Sequence, residues 1–235
     1  IWRFKTEAGG MPTLPFLAFQ FFALDSHGDF MDLLQSVSPH QRWGLPCDPA
    51  AIRAERGTGR LTLGLRTLFE EHPGIAKAMR DELHSGNRLP EGGGKTGLIE
   101  ALITAYSEPD SVFLNFYGPP GTIPTLPVHR MLTLGGGEPP NLPDLKDKAV
   151  FVGFSELLRP ENRDGFHTVF SKPDGTDLSG IEIAATAFAN LLEGQPVRPA
   201  PPLFFTGIIL FCGLALGWAC CLLPPALSAA GIAGA

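Results

Sequence analysis

No charged residue follows Arg198: all 18 Lys and Arg and all 24 Asp and Glu precede Pro199, and the last 37 residues carry none. That absence excludes an ordinary water-facing surface for the end of the chain. Cysteine is also scarce. Of four, only Cys47 lies in the charged region, while Cys212, Cys220 and Cys221 fall in an apolar run, which excludes a disulfide framework. No basic cluster interrupts a net charge of -6, so the electrostatic footprint of a nucleic-acid binder is missing. The six histidines, at 27, 40, 72, 84, 129 and 167, show no pairing at helical or strand spacing suited to a metal, and neither a metal nor a cofactor is expected. No internal repeat is present.

What the uncharged tail does contain is length and apolarity. Leu203 to Leu223, LFFTGIILFCGLALGWACCLL, is 21 residues bracketed by Pro201-Pro202 and Pro224-Pro225. As a helix it would reach roughly 31 Å, close to the hydrocarbon thickness of a bilayer. A membrane span is therefore expected over 203–223, with 224–235 the start of a second, truncated one. Gly213 and Gly217 form a GxxxG within it, a spacing that lets two helices approach closely. The chain opens on IWRF and closes on ALSAAGIAGA, so it is expected to be the middle of a longer protein. Charge does not orient the span: the Pro224-Pro225 connection has no Lys or Arg, and large domains translocate regardless of charge.

Residues 1–198 suffice for one large domain or two small ones. Met11 to Leu24 reads as a buried helix, and Asp25 to Gly59, rich in Pro and Gly, as an irregular loop. Short helices are predicted over 61–71 and 75–84, divided by Pro73-Gly74, and another near 96–106. Ser111 to Tyr117 reads as a strand with two mostly apolar faces, and Asp147 to Ser155 as a buried parallel strand. Ser179 with Glu182 fits a capping box opening a helix that buries Ile181, Ala184, Ala185, Phe188, Leu191 and Leu192 and stops at Gly194. The expected class is α/β: a central sheet covered by helices, followed by transmembrane helices.

Two catalytic signatures fail on spacing. Gly94-Lys95-Thr96 suggests a phosphate loop, yet the position of the required first glycine is Leu89. Gly153-Phe154-Ser155-Glu156-Leu157 puts a serine after a strand but lacks the second glycine of a nucleophile elbow. A membrane-anchored hydrolase using Ser155 or a His/Asp cluster is the alternative reading.

From Val112 onward the chain resembles the CHASE type-2 family of extracytoplasmic sensor domains in bacterial transmembrane receptors. The matching pieces are FLNFYGPPGTIPTLPVHRML (113–132), LKDKAVFVGFSE (145–156), the DGF turn at 164–166 and LSGIEIAATAFANLLEGQPVRPAPP (178–202). Phe154 stands where members often carry Ala, and residues 1–110 match mainly through the apolar 12–24 segment. The resemblance implies a non-catalytic sensor over 1–198, outside the cytoplasmic (inner) membrane, on a multi-pass receptor that works as a homodimer. It also implies a cytoplasmic output domain, a nucleotide cyclase or else a histidine or Ser/Thr kinase. The partners expected are a small-molecule or envelope stimulus and the lipid bilayer. Polar and Gly positions of the matching motifs become candidate ligand contacts: Asn115, Tyr117, Gly118, Thr122, Asp164 and Glu182. Each also has a structural reading: Asn115 anchoring its turn, Gly118 permitting a positive φ, Asp164 capping the DGF turn, Glu182 capping its helix. The connector 199–202, with Pro199, Pro201 and Pro202, is stiff enough to carry a helix shift towards the span.

Overall fold

Thr13 stands extended before Leu14, and Pro15 in the first turn presets the helical φ, so α1 runs Leu14–Phe22. The computed structural model describes residues 3–5, 10–40, 43–54, 57–85, 93–128, 145–153, 165–171, 177–194, 197 and 201–222. Its contacts divide the chain into two units, Ile1–Val197 and Arg198–Ala235.

In the first unit α1 buries Phe16 and Phe19 and leaves Leu14 and Phe21 exposed. The expected helix over 11–24 is thus shorter and one-sided. Met11–Pro12 is strand β2, antiparallel to β1 at Phe4–Lys5. The region read as an irregular loop is also corrected. After a short 3-10 turn at Leu24–Ser26 comes α2, His27–Val37, which buries His27, Phe30, Leu33 and Leu34 at helical spacing. Asp48 then caps α3, Pro49–Arg53, by accepting from the Ala51 N–H. Turn-forming residues hid two helices because they lie between and at the ends of them.

The predicted helices downstream are present as α4 (Gly57–Glu71), α5 (Gly74–His84) and α6 (Gly93–Ser107). Leu61, Leu65, Leu68, Met79, Ile99 and Leu102 join Phe16, Phe19 and Phe30 in one buried cluster. Arg3 ties the N-terminal segment to that cluster. Its guanidinium, 3 % exposed, donates to the carbonyls of Thr104 (3.1 Å) and Ala105 (3.2 Å), in the last turn of α6 where a positive charge is favoured. Helix α7, Gly180–Glu193, completes the unit and packs on α1 and α6.

The unit is α/β only in the coarse sense, mostly helical with two small two-stranded sheets, and among the described residues there is no central sheet. The second pairs β3, Gly165–Phe166, with β4, Leu178–Ser179. Over 111–117 the predicted alternation holds, with Val112, Leu114 and Phe116 half-buried and Phe113, Asn115 and Tyr117 exposed. The segment's ladder contacts among the described residues are isolated bridges, at Ser111 and from Phe113 to Val197. Residues 147–153 form no strand either. Ala149 and Phe151 pack on the core, while Val150 is 54 % and Val152 84 % exposed. Two alternating faces with one covered differ from the doubly covered strand that an apolar run suggests.

In the second unit Pro202–Leu222 forms α8. Its side chains are described from Leu203 to Trp218, sixteen residues spanning about 24 Å. Among the described residues no helix is long and apolar enough to cross a membrane.

Candidate functional site

Helix α7 begins where Ser179, extended, accepts from the Glu182 N–H (3.3 Å), and ends where Gly194 turns left-handed at φ 63°. Its apolar face, with Phe188 and Leu191 buried, lies on α1 and α6. Phe188 packs edge-on to Phe22 (5.5 Å) and at a steep angle to Phe151 (5.6 Å). A second buried face is polar. Glu182, Thr186 and Asn190 recur every fourth residue and are 7 %, 3 % and 9 % exposed.

A buried polar stripe needs partners, and the 113–122 segment supplies most of them. Asn190 Oδ1 accepts from the Asn115 N–H (2.7 Å), while Nδ2 donates to the Asn115 carbonyl (3.1 Å) and to the Tyr117 hydroxyl (3.0 Å). One side-chain amide therefore does what a neighbouring strand would do for Asn115. Thr186 closes back on the Glu182 carbonyl (2.9 Å). The Glu182 carboxylate, which a complete capping box would return to Ser179, instead accepts from the Gly121 N–H (2.8 Å). Helix α7 thus holds the extended segment at two points six residues apart along the chain, Asn115 and Gly121.

Between those points the chain turns sharply. Thr122 donates its hydroxyl to the Pro119 carbonyl (2.6 Å), and Gly121 takes φ 88°. The positive φ expected at Gly118 is thus at Gly121. Gly118 is required for another reason: a Cβ there would lie 2.6 Å from Thr122 Oγ1. Burial pushes the Tyr117 phenol above its ordinary value; the Asn190 amide opposes this and the adjacent Glu193 carboxylate adds to it.

Of the sequence candidates, Asn115, Tyr117, Gly118, Thr122 and Glu182 come together along α7, whereas Asp164, Ser155 and Pro199 lie outside the described residues. Asn115 participates through its backbone, not its side chain. The residue missed was Asn190. Its signal was present as the Glu182–Thr186–Asn190 spacing, a polar row on an otherwise apolar helix. Among the described residues no group of three His, Cys, Asp or Glu is placed to hold a metal.

No curated protein and no solved structure matches this chain. A family match does exist and covers residues 42–219, the CHASE2 domain. It extends upstream of the motifs at 113–202 to take in α3 to α6. CHASE2 domains are sensory and are typically extracytoplasmic parts of membrane receptors. With well over half its length matched, the chain belongs to the CHASE2 domain family.

Proposed function

We propose that this chain is the non-catalytic input module of a multi-pass signalling receptor in a bacterial cytoplasmic membrane, working as a homodimer. Residues 1–198 face outward, residues 203–223 cross the bilayer, and the receptor's output domain, a nucleotide cyclase or otherwise a kinase, lies on the cytoplasmic side. The observation that carries this reading is the double role of α7. It grips the 113–122 segment through Glu182 and Asn190, and its C-terminal Gly194 is followed within eight residues by α8.

The physics of such a device is a shift in population between two packings of α7. A stimulus that binds one packing better than the other moves the helix end, and Pro196, Pro199, Pro201 and Pro202 restrict the backbone that follows. The span is supported by 21 consecutive residues without a charge and by apolar side chains such as Leu203, Phe211 and Leu214 that are largely exposed.

The test is a Gly-Ser insertion at Pro199 in the complete receptor. Output should become independent of stimulus while the protein remains membrane-inserted. Unchanged signalling would remove the connector from the mechanism.

A further inference from the structure

Where α6 crosses the C-terminal end of α7 the first unit holds an open cavity of about 440 Å³. That size falls within the roughly 300–1,000 Å³ of small-molecule sites. Phe22 of α1, Leu98 of α6 and Leu192 of α7 form apolar walls, and the charged groups among the described lining residues are two carboxylates, Glu100 on α6 and Glu193 on α7. Among the described residues no Lys or Arg lines it. Lys95, one turn away on α6, lies 3.4 Å from Asp29 of α2.

The glycines of the lining divide into two kinds. Gly194 is accounted for by the protein: it is left-handed, and an added Cβ would come 3.4 Å from Ala101 Cα. Gly97 is not. It sits inside α6, where glycine costs about 1 kcal/mol relative to alanine, yet an added Cβ would meet nothing within 4 Å. The same holds sterically for Gly94, nearer the helix start. What these missing side chains leave is the cavity itself.

The geometry points to a binding site here for a small organic cation, an amine carrying a compact apolar body. The apolar walls would take the body, and Glu100 and Glu193 would take the ammonium as charge-assisted hydrogen bonds. An anion would meet two like charges, and a neutral analogue would desolvate the carboxylates without pairing them. Glu193 also stands beside the Tyr117 hydroxyl held by Asn190, so a cation paired with Glu193 acts on the same end of α7 that grips the extended segment. Binding requires only the cavity; its role as the receptor's stimulus rests on the sensory function proposed above.

The test is calorimetric titration of the whole 235-residue chain in detergent micelles with 2-phenylethylamine, 2-phenylethanol and phenylacetate as probes. The amine should bind at one site, the alcohol about tenfold or more weakly, and the acid not at all. Glu100→Gln and Glu193→Gln should each weaken the amine by a similar factor. Gly97→Leu should abolish binding without lowering the melting temperature, since it fills the cavity with a better helix former. Failure of the amine to bind, equal binding of amine and alcohol, or binding that survives Gly97→Leu would overturn the site. In the complete receptor the amine should alter output in the wild type and not in Gly97→Leu. Saturable binding without any change in output would leave the site standing and overturn its sensory role.

Discussion

Replacing Asn190 by Leu keeps the approximate volume of a buried side chain and removes all three of its hydrogen bonds at once. The partners left behind are the Asn115 N–H, the Asn115 carbonyl and the Tyr117 hydroxyl. A hydrogen bond contributes about 0.5–1.5 kcal/mol net, and an abandoned buried partner costs about 1–3 kcal/mol. Here the abandoned groups are only part-buried, and Asn115 and Tyr117 reach the surface, so water can replace part of what is lost. Expected destabilisation is therefore about 2 kcal/mol, towards the low end of the sum. Equilibrium denaturation of the whole chain should show it as a lower midpoint with an unchanged denaturant slope. Hydrogen exchange gives a sharper readout, because the Asn115 amide is protected by this side chain and not by a ladder. Its exchange should accelerate strongly in Asn190→Leu, with the amides of α4 and α6 slowed as before. Asn190→Gln should fail to rescue, since one added methylene displaces the carboxamide from both backbone groups. A midpoint unchanged within about 0.5 kcal/mol, together with unchanged exchange at Asn115, would refute the clamp.

His27 is fully buried against Phe30, and neither ring nitrogen reaches a hydrogen-bond partner. Burial lowers its pKa from 6.5, and the nearby Pro46 carbonyl opposes this. A lowered folded pKa means the stabilisation is complete above pH 6.5 and is lost as pH falls below it, by up to about 1.4 kcal/mol per pH unit. Denaturation at pH 7.5 and 5.5 should show this loss, and His27→Leu should flatten it. For Gly118→Ala, the added Cβ would sit 2.6 Å from Thr122 Oγ1, whose hydroxyl is already committed to Pro119. The expected cost is about 1–2 kcal/mol. It should shrink to a few tenths in a Thr122→Ala background, and a double-mutant cycle checks that coupling.

The helices were legible where apolar residues recur at helical spacing between clear breaks. Pro73-Gly74 separates α4 from α5, and Ser179 and Gly194 delimit α7, as cap chemistry requires. Helix α2 was hidden because Gly28 and the surrounding Pro and Gly outweighed a row that begins at a buried histidine. The sheet was overestimated for a different reason. Alternation in 111–117 shows that a segment is extended and half-covered, and says nothing about what satisfies its backbone. At Asn115 that partner is a side chain on a helix 75 residues away.

Local chemistry in the sequence by itself determined that a long uncharged, apolar segment follows a charged one and that α7 starts at Ser179 and stops at Gly194, while the family resemblance tied the motifs at 113–202 together. Composition, caps and spacing act within a few residues, so they can be read from order alone. Tertiary structure decided what those residues do. Glu182 turns from its own cap to Gly121, Asn190 becomes the clamp, and Gly97 comes to line one cavity with Glu100 of α6 and Glu193 of α7. Each depends on which buried polar groups meet once the helices have packed, a property of the assembled core that no single segment carries.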